Sequence, residues 1–282
     1  MPPKKTVLIT GCSAGGIGAA LAVAFQKRGF HVFATARDPA KMPPEFAHLP
    51  DVTRLPLDVT SRASIDAAVA AVRKATGGTL DILVNNAGVP YVVPALDADV
   101  RVARDVFDAN FFGVLETTKA FAPLLVAAAP GAIVVNICST AAHITTPWMG
   151  VYAASKAAME QYSEALRLEL RPYGVRVLSV VAGAVATNMT ASSPPLTLPE
   201  GSFFRVSEEE TKRREAGESF IKGMPAEVFA EKVVSDALGG VTGRVYRGLG
   251  ATFVWFLSSW CPRLVQDKLA VTMRGGAFER AL

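Results

Sequence analysis

Residues 6–37 read TVLITGCSAGGIGAALAVAFQKRGFHVFATAR, and this stretch decides the fold. Val7, Leu8 and Ile9 form the continuous apolar run that a strand covered on both faces requires. Four glycines follow, Gly11, Gly15, Gly16 and Gly18. Ile17 to Lys27 then carries apolar residues at helical spacing and is closed by Gly29, a C-terminal helix signal. A second strand, His31 to Thr35, comes next. Strand, tight turn, helix, strand is the opening unit of a doubly wound sheet, because parallel neighbours need a crossover helix.

The alternation continues along the chain. Thr53 to Leu57, Ile82 to Val84, Gly131 to Ile137 and Val175 to Val181 read as strands. Ser61 to Ala75, Val102 to Ala129 and Tyr152 to Tyr173 read as helices. The fold class is therefore α/β, a single-domain Rossmann-type doubly wound parallel sheet spanning residues 1–282. Half of the residues are hydrophobic and 19% are charged, enough apolar material for a large core. Two regions break the rhythm. Residues 188–222 are rich in Ser, Pro, Thr, Glu and Lys, and their position after a core strand predicts a substrate lid. Residues 250–282 form an apolar C-terminal extension with Phe253, Trp255, Phe256, Leu257 and Trp260.

Composition excludes several classes. A net charge of +4, from 29 basic and 25 acidic residues, is too small and scattered for a nucleic-acid binder. Cys12, Cys138 and Cys261 have neither disulfide nor metal spacing, so a reducing compartment and no metal are expected. The apolar run after MPPKK is too short for a signal peptide, and no stretch is long enough to span a membrane. A cytoplasmic protein is expected, with peripheral placement on endoplasmic reticulum or a lipid droplet as the alternative.

The glycine cluster lies between a strand and a helix. There a tight turn lets backbone approach a pyrophosphate while the first N–H groups of the helix stay free. Gly11, Gly16 and Gly18 meet those needs. At the end of the second strand, an acid would grip the ribose hydroxyls of NAD, whereas an arginine would pair with the 2′-phosphate of NADP. Ala36 is neutral and Arg37 follows it, which favours NADP(H). Asp38 stands next to Arg37 and weakens that case if it neutralises the charge.

The ordered set Thr10-Gly11 with Gly16 and Gly18, Asp58-Val59, Asn85-Asn86-Ala87-Gly88, Asn110, Ser139, and Tyr152 with Lys156 resembles the short-chain dehydrogenase/reductase family. The resemblance covers roughly the first 190 residues. It implies that Asp58 and Val59 hold the adenine, that Asn86, Ala87 and Gly88 line the cofactor, and that Thr187 receives the nicotinamide carboxamide. It also makes Ser13, Ile17, Gly183 and Val185 cofactor neighbours. Two departures stand out. Cys12-Ser13-Ala14-Gly15 makes the first turn one residue longer than the family pattern, and Ala182-Gly183 replaces the usual Pro-Gly, which loosens that turn. The opening ITGCSAGGIG and the apolar tail are similar to fungal acyl-dihydroxyacetone-phosphate reductases. The segment VFATARD resembles 17β-hydroxysteroid dehydrogenases.

The chemistry follows from four residues. Tyr152 is the candidate acid or base for a carbonyl/alcohol pair. A free tyrosine ionises at about pH 10, too high for that work near neutrality. Lys156 lies one helical turn on, and its charge favours the phenolate. The resemblance adds that Lys156 binds the nicotinamide ribose and that Tyr152 also borders the cofactor. Ser139, thirteen residues before Tyr152, matches the family's separation and would hydrogen-bond the substrate oxygen. Asn110, inside a helical pattern, is implied to hold a water that joins Lys156 to solvent. His143, four residues after Ser139, either touches substrate or is simply solvated. Trp148 and Met149 are expected to shape the cavity, with Phe203, Phe204, Phe220 and Met224 from the lid. The basic run Lys212, Arg213 and Arg214 is read as a solvated lid face, with a substrate phosphate as the alternative.

The expected activity is NADP(H)-dependent reduction of a ketone or aldehyde on a hydrophobic lipid, steroid-like or secondary-metabolite substrate. A non-catalytic NADP-binding sensor, or an enzyme using the scaffold for cyclisation, is the competing reading. The helices 102–129 and 152–173 are the family's usual subunit faces, so a homodimer or homotetramer is expected. Residues 250–262 are read as packing on protein, with peripheral membrane contact as the other possibility.

Overall fold

The computed structural model describes residues 4–188, 198–204 and 223–274, with side chains to residue 270. Strands β1 (Thr6–Ile9), β2 (His31–Ala36), β3 (Val52–Pro56), β4 (Ile82–Asn85), β5 (Ile133–Ser139), β6 (Arg176–Ala182) and β9 (Gly243–Arg247) build one sheet. Its order is β3-β2-β1-β4-β5-β6-β9, and every pairing is parallel. The short strands β7 (Val185–Ala186) and β8 (Met224–Pro225) pair beside it. The order reverses direction between β1 and β4, so the crevice for a ligand opens at the carboxyl ends of those two strands.

Period-two alternation sends Val7 and Ile9 to one face and Leu8 to the other. The first face packs on α1 (Ile17–Lys27) and α6 (Ala226–Leu238), with Phe25 and Phe229 fully buried. The second packs on α2 (Arg62–Thr76), α4 (Gly113–Ala127) and α5 (Gly150–Leu170), with Phe121 and Leu124 at its centre. Helix α1 ends as its sequence predicts: Gly29, at φ +83°, takes the left-handed position after the last turn.

Two expectations change. The single helix over 102–129 is α3 (Val100–Phe107), a wide π turn (Asp108–Phe112) and then α4. The cause lies in Asn110, at the centre of that turn. Its side chain exchanges hydrogen bonds with the Val89 backbone, which places it against a loop rather than along a regular helix face. The turn after β6 is not loose either. Gly183 N–H donates to Arg247 O at 2.8 Å, and Ala184 and Leu249 exchange backbone bonds. Contacts to the segment at the end of β9 thus replace the stiffness of a proline.

Burial sets the reactivity of the cysteines. Cys12 and Cys138 are enclosed, and desolvation pushes both thiols up to about 12, whereas Cys261 is only partly covered. A raised thiol pKa keeps the group protonated and inert. At pH 8 the native protein should react with a thiol reagent at Cys261 and expose the other two only on denaturation. Rapid native labelling at Cys12 or Cys138 would contradict the burial.

Candidate active site

Parallel strands bring all of the motif residues to one edge of the sheet. The turn between β1 and α1 carries Gly11, Ser13, Gly16, Ile17 and Gly18. Gly11 has φ +76°, and a Cβ there would lie 2.9 Å from the Ala87 Cα. A Cβ on Gly18 would strike Gly11 O and lie 2.6 Å from Asn86 Nδ2. Both positions therefore demand glycine for close packing of the two loops. Gly16 caps α1 without any side-chain hydrogen bond, and Ser13, Ala14 and Gly15 are exposed. The start of α1 is thus open to an anion, the arrangement a pyrophosphate requires. These residues fit a nicotinamide dinucleotide.

Thr10 ties this turn to the one after β4, since its hydroxyl accepts from the N–H groups of Asn86 and Ala87 at 2.9 and 3.0 Å. Asn86 Nδ2 donates to Thr10 O and Gly11 O at 2.8 and 3.0 Å. The Asn86 amide therefore holds the two loops together. Asp58 uses one carboxylate oxygen to accept from Thr60 N–H and hydroxyl, which shapes the turn after β3. Val59 packs against Gly113, where a Cβ would lie 2.8 Å from its Cγ2. Arg37, directly after β2, is exposed and makes no hydrogen bond or ion pair with the described residues. Asp38 accepts from Ala40 N–H at 2.9 Å instead of pairing with it. On the far side, Asn188 N–H donates to Gly15 O at 3.3 Å and Asn188 Nδ2 to Ala14 O at 3.4 Å. That contact sets the segment after β7 against the glycine turn. Sequence reading missed Asn188 because nothing local marks a contact across 174 residues.

The candidate reactive group lies between β5 and α5. Ser139 is the last residue of β5, and its hydroxyl accepts from Ala141 N–H at 3.2 Å, which starts a short 3-10 turn over Thr140–Ala142. Tyr152 stands half-buried in the first turn of α5, and Lys156 follows it one turn on. Lys156 is 5% exposed, and its ammonium donates to Ile137 O at 3.0 Å, two residues before Ser139 on the same strand. A buried ammonium held by a carbonyl is a fixed positive charge beside the tyrosine. Asn110 is fully buried. It accepts from Val89 N–H at 2.8 Å and donates to Val89 O and the Ser155 hydroxyl, each at 3.0 Å. Gly88 separates it from Lys156: a Cβ there would lie 2.9 Å from Asn110 Oδ1 and 3.5 Å from Lys156 Nζ.

Residues 5–196 match the short chain dehydrogenase family. The chain belongs to that family. A short-chain dehydrogenase of Penicillium ochrochloron is 46% identical over 96% of this chain and 98% of its own length. An NADPH-dependent 1-acyldihydroxyacetone phosphate reductase of Schizosaccharomyces pombe is 41% identical, over 72% of this chain and 69% of that protein. Among solved structures, a short chain dehydrogenase from Burkholderia cenocepacia in complex with NADP superposes with a TM-score of 0.74 at 26% identity, covering 95% of this chain and 98% of that one. A 3-ketoacyl-(acyl-carrier-protein) reductase from Brucella melitensis complexed with NADH superposes at 0.69 and 25%, covering 85% and 94%.

The residues expected to shape the cavity of this short-chain dehydrogenase include buried and exposed aromatic side chains. Trp148 is buried at φ +69°, and its ring meets Phe204 edge-on with centroids 6.5 Å apart. Met149, next in the chain, leads into α5, and Met224 lies in β8. Phe203 is exposed, while Phe220 and the run Lys212, Arg213 and Arg214 lie outside the described residues. His143 is not the solvated loop residue that its position suggests. Its Nε2 lies 2.7 Å from Glu160 Oε2, whose other oxygen meets Arg244 Nε at 2.8 Å. Helix α7 (Ala251–Trp260) buries Ala251 and Leu257, but Phe253 is 56% exposed and Trp260 72%. No helix is long and apolar enough to cross a membrane among the described residues.

Proposed function

We propose that this oxidoreductase is an NADPH-dependent ketoreductase for hydrophobic carbonyl compounds. The observation that carries this reading is the buried Lys156 ammonium, anchored on Ile137 O one helical turn from Tyr152, with Ser139 ending the same strand. Bound reduced nicotinamide supplies the hydride. The chain supplies the rest. Tyr152 gives its hydroxyl proton to the carbonyl oxygen as the carbon takes the hydride. Lys156 stabilises the phenolate left behind, and the Ser139 hydroxyl donates to the same oxygen as its charge grows. Asn110 holds Val89 and Ser155 in place, so the loop beside Gly88 keeps Lys156 in register.

NADPH is favoured over NADH by the exposed guanidinium of Arg37, unpaired among the described residues, and by the neutral Ala36 before it. An apolar substrate is supported by the Trp148–Phe204 pair and by the relative that reduces an acyl ketone phosphate. Retention of Tyr152, Lys156, Ser139 and Asn110 together argues against a non-catalytic sensor. The exposed Phe253, Phe256 and Trp260 of α7 suit a lipid surface from which such a substrate enters. Exposed Val100 and Phe112 beside the π turn suit a subunit face of a homodimer or homotetramer.

The test is NADPH consumption against hydrophobic ketones, acyl-ketone phosphates and steroids, with NADH in parallel. Turnover with NADPH on one class would support the reading and name the substrate class. Tight NADPH binding without turnover on any member would favour the sensor reading instead.

A further inference from the structure

The molecule places a buried carboxylate two helical turns beyond Tyr152. Glu160 has a side chain only 5% exposed. An isolated charge there would be strongly disfavoured, so its partners define its role. Arg244, on β9, approaches one oxygen at 2.8 Å, and His143 approaches the other at 2.7 Å. Glu164 and Arg167 extend the cluster along α5, with Arg167 Nε 3.3 Å from Glu164 Oε2. Arg244 already balances the charge of Glu160. His143 is therefore not needed for neutrality, and its contact serves another purpose.

That purpose is visible in where His143 sits. Ser139 ends β5, and Thr140–Ala142 form a single 3-10 turn capped by the Ser139 hydroxyl. His143 N–H closes that turn on Thr140 O at 3.0 Å. The turn leaves β5 at one end, packs on α5 and α7, and meets Glu160 through the His143 ring at its other end. The ring also packs on Tyr246, with centroids 5.5 Å apart, and Tyr246 lies 6.4 Å from Trp255 of α7. Glu160 rides on the helix that carries Tyr152 and Lys156. The 2.7 Å approach of His143 to Glu160 thus sets the end of the Ser139 turn against the helix that carries the other two groups.

We infer that His143 is a positioning residue that holds Ser139 in register with Tyr152 through Glu160. It rests on the reductase reading for its kinetic consequence but not for its structural one. Two full-length variants test it: His143→Ala, and His143→Gln, whose amide keeps a polar group within reach of Glu160. NADPH binding, read by fluorescence, serves as the folding control and should not change.

Without any substrate, amide hydrogen exchange over residues 139–144 should rise at least severalfold in His143→Ala and return toward wild type in His143→Gln. Unchanged exchange in His143→Ala overturns the inference, whatever the enzyme's substrate. On a turned-over ketone, His143→Ala should lower kcat by about tenfold to a hundredfold, with a smaller change in KM. The same substitution in a Ser139→Ala background should cost almost nothing more, because the group it positions is gone. If the two losses simply multiply, His143 does not act through Ser139 and the inference fails. If wild type turns over no ketone, the reductase reading fails and the exchange result still decides the anchoring.

Discussion

Tyr152→Phe should lower kcat for ketone reduction by about a thousandfold, in the range expected when a positioned general acid is lost, while NADPH binding stays nearly unchanged. The substitution deletes one oxygen and keeps the ring. Tyr152 lies in the first turn of α5, half-buried, and no described side chain depends on its hydroxyl for a hydrogen bond. The cofactor cleft is built by other elements, chiefly the turn of Gly11 to Gly18 and its tie to Asn86. Loss of turnover and loss of binding are therefore separable. Single-turnover kinetics with NADPH, alongside a fluorescence titration, would measure both. Loss of both together would mean that the substitution damages the fold. Retention of turnover within a few-fold of wild type would remove Tyr152 from the chemistry and shift attention to a water as proton source.

What the sequence makes legible follows the range of the forces involved. The sheet and its helices rest on local periodicity, so residues 6–37 alone reveal the first unit, and β1, α1 and β2 form where the pattern places them. The glycine positions are equally local, since Gly11 needs its left-handed backbone whatever lies beyond. Long-range pairings are not legible. Glu160 looks like any helix-surface acid until β9 brings Arg244 to it and the Ser139 turn brings His143. The π turn at Asn110 is hidden for the same reason, because its partner, Val89, lies 21 residues away. The missing proline at residue 182 predicts a loose turn only if that turn stands alone. Leu249 and Arg247 supply the rigidity from another part of the chain. Helix α7 differs in the opposite direction: ten residues without a charge look like core, yet among the described residues Phe253 and Trp260 stand in the open.

Arg37→Ala should raise the Kd for NADPH by about tenfold to a hundredfold, the loss expected when charge-assisted hydrogen bonds worth roughly 1.5–3 kcal/mol disappear. Binding of NADH, which has no 2′-phosphate, should change little. The argument rests on three features at the end of β2. Ala36 offers no carboxylate to grip ribose hydroxyls. Arg37 is exposed, with its planar fork of donors unused by any described residue. Asp38, the obvious neutralising neighbour, commits a carboxylate oxygen to Ala40 N–H and starts the 3-10 turn Pro39–Lys41. That turn also binds the glycine loop, since Ala14 N–H donates to Lys41 O at 2.8 Å. The segment after β2 is therefore held against the glycine turn, on the side where the prediction puts the 2′-phosphate. Because the contact is exposed, added salt should weaken NADPH binding more than NADH binding in wild type. In Arg37→Ala the two salt dependences should converge. Equal weakening of both cofactors, or no weakening of either, would place the 2′-phosphate elsewhere and leave Arg37 as a solvated side chain at a strand end.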